Sequence, residues 1–208
     1  ARLPLPRREL EQLAWAGALR SLPRGGRAAG LWGVGLLPRP VPGEADQLAL
    51  PFEVADAPKL AEPAAWDRVQ AEYGSIGMTL EGHPMALARE ALPDKVLSTV
   101  EASALPNRSW AEVAGLQVAR QRPETAGGVV FILIEDEHGT MNLVLPSRVA
   151  SRHGLVVRTA TLIRARGRIE SRQGVISLYV HGLLEIFPPN PAIKALAPTG
   201  FNFGRRGR

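Results

Sequence analysis

Leu10, Leu13, Ala14, Gly17 and Ala18 recur near helical spacing, which predicts a helix over residues 7–22, with Arg7, Arg8, Glu9 and Glu11 early in it. Pro23, Arg24, Gly25 and Gly26 break the pattern. A shorter helix is expected over residues 27–37, carrying Leu31, Trp32 and Leu36. Two short helices around a glycine break cannot close a core alone, so this piece is expected to complete a larger domain. Trp66, Val69 and Tyr73 at i, i+3 and i+7 predict a third helix over residues 64–73, ended by Gly74 and Gly77. His83, Pro84 and Met85 open a fourth through Leu92, Pro84 suiting a first helical turn. Residues 96–104 read as a small helix or turn.

From Trp110 the periodicity changes. Val113, Leu116 and Val118 stand among glycine and polar residues, and a loop follows over residues 121–128. Residues 129–134 form an apolar, β-branched run closed by a turn at Glu135–Gly139, and residues 140–145 make the next strand, ended by Pro146. A short helix fits residues 147–153. Residues 160–169 and 175–186 then read as strands joined by a hairpin turn at 170–174. Five strands with a helix between the third and fourth match the order of an OB-fold barrel, so the predicted class is α+β. The expected division is 1–37, the end of a helical region; 38–63, a Pro-rich acidic linker; 64–106, a helical connector; 107–187, the OB-fold; and 188–208, a basic flexible tail.

Composition changes this picture in two ways. The chain of 208 residues has no cysteine, which excludes a disulfide framework, a thiolate metal site and a cysteine nucleophile and fits a reducing cytoplasm. No apolar run reaches the length of a signal core or of a membrane span, so neither is expected. The first residue is Ala1 rather than methionine, which points to a piece of something longer. The net charge of +5 is unevenly distributed: residues 1–39 carry +5, residues 40–106 carry −7, and the tail has four basic groups and no acid. Arginine, whose planar fork suits phosphate, supplies 22 of the 25 basic residues, and Arg-rich ends around an acidic middle fit a polyanionic partner. Coding bias toward G and C enriches the same residue types, so composition leaves both readings open.

The sequence offers little for catalysis. His83, His138, His153 and His181 have no metal-ligand spacing, and neither a phosphate loop nor a nucleophile elbow occurs. Glu135, Asp136 and Glu137 could hold a divalent metal, but consecutive acids at a strand end read more simply as a solvated turn. No catalytic or metal residue and no cofactor is therefore assigned. Binding has better support. Arg164, Arg166 and Arg168 alternate on one strand and share a face, Arg172 lies in the next hairpin, and Arg120 and Arg122 lie where the first strand enters its loop. Phe131 and Tyr179 are on strands that could reach the same groove and stack bases. The competing reading makes the arginines an ordinary solvent face. Separately, Gln47, Leu48, Leu50 and Phe52 in the linker resemble the peptide by which bacterial proteins dock on the sliding clamp. Those apolar residues could equally tack the linker onto its own domain.

Four stretches together resemble the C-terminal region of the error-prone, translesion alpha subunit of bacterial DNA polymerase III. Residues 16–22 with Arg27, Leu31 and Trp32 resemble the close of its helix-hairpin-helix domain, and residues 73–77 with His83, Pro84 and Met85 resemble its helical connector. Residues 118–123 with Thr125, 128–131 and 133–137 are similar to its OB-fold opening, and residues 166–170 with 174–176 to its fourth and fifth strands. The chain departs from that pattern at Gly127, where the family has Lys, at Leu145, where it has Trp before Pro146, and in its strand ending at 184–188.

The resemblance implies a damage-induced translesion polymerase acting in DNA replication and repair. Its Mg²⁺ and catalytic carboxylates would belong to a palm domain that nothing here matches, so this chain is expected to have no polymerase activity of its own. Single-stranded DNA, primer–template DNA, the clamp and accessory proteins of the mutagenic complex are the implied partners, in the cytoplasm and without a membrane. The alternative is a stand-alone OB-fold protein binding single-stranded DNA or tRNA; a module contacting only proteins is a third possibility.

Overall fold

A computed structural model describes residues 5–21, 26–37 and 60–187, in two units, Ala1–Leu80 and Glu81–Arg208. The clamp-like residues Gln47, Leu48, Leu50 and Phe52, most of the linker and the basic tail lie outside the described residues.

The first unit contains α1 (Arg7–Trp15), α2 (Arg27–Gly35) and α3 (Ala65–Ile76). Helix α1 stops seven residues short of the predicted Leu22, because Gly17 turns the chain through a left-handed φ of 78° that other residues adopt only at a cost. The helices are joined by a buried charge. Arg27, 1% exposed, pairs with the equally buried Glu72 and donates from Nε to the Trp15 carbonyl at 3.1 Å. Glu72 also accepts the Leu80 backbone N–H at 2.9 Å. Ion pairs taken out of water persist only when their remaining groups find partners in this way.

The second unit opens with α4 (Pro84–Arg89) and α5 (Thr99–Ser103) and continues into a closed barrel: β1 (Trp110–Gln121), β2 (Val130–Glu135), β3 (Thr140–Leu145), β4 (Leu162–Arg172) and β5 (Val175–Glu185). The strand order is β1-β2-β3-β5-β4. The long β1 serves two neighbours, pairing with β4 over Trp110–Leu116 and with β2 over Leu116–Gln121, with a bulge between Gln117 and Ala119 that lets it bend. Ile132, Ile134, Leu143, Ile163, Leu178 and Val180 fill the interior, each fully buried. Between β3 and β4 the predicted helix is present as α6 (Ser147–Arg152), but the chain then makes a second helix, α7 (Gly154–Thr159).

The acidic turn after β2 is a structural joint rather than a solvated loop. Asp136, 3% exposed, accepts from the backbone N–H and hydroxyl of Thr99, both at 2.7 Å, and from the His138 and Gly139 N–H groups at 2.9 and 3.0 Å. Arg89 reaches the same carboxylate at 3.1 Å and also pairs with Glu137. The short connecting helices are thereby fixed to the barrel. Helix α5 also carries a capping box between Ser98 and Glu101, and the Leu97 N–H donates to the Glu112 carbonyl at 2.8 Å.

His83 caps α4: its Nδ1 accepts the Met85 N–H at 3.1 Å, and its Nε2 lies 3.4 Å from Glu135. Burial holds the imidazole below its ordinary 6.5, although Glu135 pulls the other way. The folded state thus prefers neutral His83, so its contribution is complete above 6.5 and is lost as pH falls below that through the folded value. Thermal melts of the chain should therefore lose stability as the solution is acidified below neutrality. His83→Asn, which keeps a capping oxygen but does not titrate, should remove that part of the pH dependence. An unchanged acid profile in the variant would show that the cap is not its source.

Candidate nucleic-acid interface

Along β4 the interior takes Ile163, Ala165, Gly167 and Ile169, which turns Arg164, Arg166 and Arg168 outward as the alternation predicts. Register then decides what each arginine meets. Arg168 lies between Trp110 on β1 and Tyr179 on β5, while Arg166 is flanked by Glu112 and Gly182. The guanidinium carbons of Arg166 and Arg168 lie 5.3 and 5.1 Å from the centre of the Trp110 indole, within cation–π range. His181 meets the same indole edge-on at 4.8 Å, and Tyr179 meets His181 at 5.6 Å. Trp110 is nevertheless 48% exposed. The result is an outward aromatic platform flanked by two cations that have no carboxylate partner among the described residues.

Beside this platform runs a groove of about 340 Å³, bordered by Lys95, Arg152, His153, Arg164, Arg166 and His181. Glu112 is the acid in its lining, and it is occupied: Arg164 lies 2.8 Å and Lys95 3.2 Å from its carboxylate. Arg164 therefore differs from its two neighbours. Its charge is largely answered within the fold.

The other sequence candidates do not all converge here. Arg172 sits in the β4–β5 hairpin, 83% exposed and 3.4 Å from Glu170. Phe131 points outward from β2 opposite Gln121 and Val144, 38% exposed. Arg120 and Arg122 do not border the groove that Arg164 and Arg166 line: they lie at the far end of β1, in a separate cleft against α6 and α7, where Arg120 donates to the Val157 carbonyl at 2.6 Å. The long, bent β1 separates the two ends of its own outer surface. Sequence reasoning missed Trp110, His181, Lys95 and Arg152. In the sequence Trp110 marks only the point where periodicity changes, and its place opposite Arg168 comes from strand register.

Among the described residues no cluster of acids and histidines could hold a metal ion, and no helix is long and apolar enough to cross a membrane. Residues 111–186 match the family model described as an OB-fold nucleic acid binding domain, and the closed five-stranded barrel agrees with it. The second unit is thus an OB-fold domain of the nucleic-acid-binding class. Along its whole length the chain is 40% identical to the error-prone DNA polymerase of Anaeromyxobacter dehalogenans, of which it spans 17%. It is 39% identical over 88% of its length to that of Methylococcus capsulatus, again 17% of the relative, and 37% identical over 84% to that of Xanthomonas campestris pv. campestris, 16% of the relative. The chain is a relative of the C-terminal region of error-prone DNA polymerases, spanning about a sixth of their length. Among solved structures, asparaginyl-tRNA synthetase from Pyrococcus horikoshii aligns with 47% of this chain and 26% of its own, at 17% identity and a TM-score of 0.38.

Proposed function

We propose that this chain is the DNA-handling part of an error-prone DNA polymerase, holding single-stranded template on the outer face of β1, β4 and β5 during synthesis across damaged DNA. The observation that carries the reading is the exposed Trp110 indole with the Arg166 and Arg168 guanidiniums 5.3 and 5.1 Å from its centre. An aromatic plane accepts any base, and flanking guanidiniums follow the backbone, which together give sequence-tolerant binding. Such tolerance suits a template whose bases are altered. The proposal gives the chain no chemical step: nucleotidyl transfer and its Mg²⁺ are assigned to another part of the polymerase. It extends to primer–template DNA as ligand and to work in the cytoplasm. The segment around Gln47, Leu48, Leu50 and Phe52 adds the sliding clamp as a partner, and accessory proteins of the mutagenic complex complete the set.

Anisotropy titration of the chain with a labelled oligothymidylate tests this. Trp110→Ala should weaken binding by about 1–3 kcal/mol, the value of one base–aromatic stack. Arg166→Ala with Arg168→Ala should lower the salt slope by about 1.4, at about 0.7 per single-strand phosphate. Arg164→Ala should change the slope less, because Glu112 already answers its charge. Full affinity and an unchanged slope in folded Trp110 and Arg166/Arg168 variants would overturn the proposal. Clearly tighter binding of the matching RNA would move the reading to a tRNA-type ligand.

A further inference from the structure

The cleft that holds Arg120 and Arg122, apart from the platform, has its own chemistry. Its volume is about 330 Å³, and it is bordered by three arginines, Arg120 and Arg122 from β1 and its loop and Arg158 from α7, with no acid in its lining. Arg120 is held in place by its bond to the Val157 carbonyl, which keeps one guanidinium on the cleft wall. Arg122 and Arg158 are exposed and meet no hydrogen-bond or carboxylate partner among the described residues. Three like charges gathered without a counter-charge repel one another, and an anion between them relieves that repulsion. The position of the cleft matters as much as its charge. Ser151 and Gly154 border it, whereas Arg152 and His153 border the groove beside Trp110. The α6–α7 turn therefore forms a ridge with a basic groove on either side.

We infer that this three-arginine cleft is a second phosphate-binding site, which takes the phosphodiester backbone of a single strand after it leaves the Trp110 platform and crosses the α6–α7 ridge. The inference rests on the nucleic-acid reading above and extends it by a path and by Arg158. A short strand fills the platform alone. A long one reaches both sites.

The test uses the full chain, its Arg122→Ala/Arg158→Ala double variant, and oligothymidylates of about 4 and about 16 nucleotides, the span that one OB-fold covers. The short strand should bind the variant as it binds the parent chain. The long strand should bind at least about tenfold more weakly at low salt, with a salt slope smaller by about 1.4. Arg122→Lys/Arg158→Lys should restore most of the slope, because it restores the charge. Neither exposed side chain supports the fold, so the melting temperature should stay within about 2 °C of the parent's. Unchanged long-strand affinity in the alanine variant, with Trp110 still required, would overturn the second site and leave the platform standing. Equal losses for both lengths would also overturn it, merging the cleft with the platform. Loss of Trp110 dependence, with dependence on Arg122 and Arg158 retained, would overturn the platform and keep the cleft.

Discussion

Asp136→Ala is expected to lower the stability of the barrel unit by about 3–5 kcal/mol, the scale for breaking a buried, fully partnered charge. The carboxylate accepts from Thr99 twice and from His138 and Gly139, and it faces Arg89. Alanine leaves the buried Thr99 N–H and hydroxyl with nothing to receive them, so α5 loses its attachment to the β2–β3 turn and α4 keeps only the Arg89–Glu137 pair there. Denaturant unfolding of the chain, followed by far-ultraviolet dichroism, would read the change directly. Asp136→Asn should cost less, since one oxygen still accepts. The acid limb gives an independent check. Burial pushes the Asp136 carboxyl up, but the hydrogen bonds from Thr99, His138 and Gly139 outweigh it and hold it below its ordinary 3.8. Its contribution is therefore complete above 3.8 and is lost as pH falls through the lower folded value, a loss the alanine variant should not display. A variant as stable as the parent would refute the role given to this joint.

Gly167→Ala is expected to cost about 3 kcal/mol or more and to weaken DNA binding at the same time. A β-carbon on Gly167 would lie 2.8 Å from the Tyr179 carbonyl carbon, closer still to its oxygen, and 3.0 Å from the Val180 α-carbon. These are backbone atoms of the paired strand, at the irregularity between Arg166 and Gly167, so no side-chain rotation relieves the clash. Separating β4 from β5 there displaces Arg166, Arg168 and Tyr179 together. Gly182 supplies the control on the facing strand: a β-carbon there meets nothing within 4 Å, so Gly182→Ala should fall within about 0.5 kcal/mol of the parent. Equal stability of the two variants in parallel melts would show that the close approach carries no weight.

Much of the barrel is legible because its strands alternate. β3 runs over Thr140–Leu145 as the pattern predicts, and the outward set Arg164, Arg166 and Arg168 follows from the pleat. β1 is harder to read because its inward positions include the small Ala111 and Gly115, and because Ala114 and Leu116 on its other face are buried too, which blurs the alternation. Helix α7 defeats pattern reasoning outright. Its Leu155, Val156 and Val157 suggest a strand, but burial of Val157 against the barrel end outweighs their weak helix propensity. The joints of the fold have no local signal. Thr99 and Asp136 are 37 residues apart, and Arg27 and Glu72 are 45 apart, so each carboxylate reads as a surface charge until the chain is folded. The site is half legible for the same reason: alternation finds its arginines, and only register brings Trp110 and His181 to them.

The strand order also divides assembly of the barrel into near and far events. β1, β2 and β3 pair in succession, as do β4 and β5, each across a short connection. Closure demands two distant pairings, Trp110 with Arg168 and Asn142 with Ser177, the latter within a parallel seam of three residue pairs. Loop-closure entropy falls on those two contacts, so docking of a three-stranded meander onto a two-stranded hairpin is the expected slow event. The Trp110–Arg168 contact is one of the two that complete it. With Trp15, Trp32 and Trp66 replaced, Trp110 fluorescence should therefore report barrel closure during refolding, and the surface proposed to hold DNA is expected to form last.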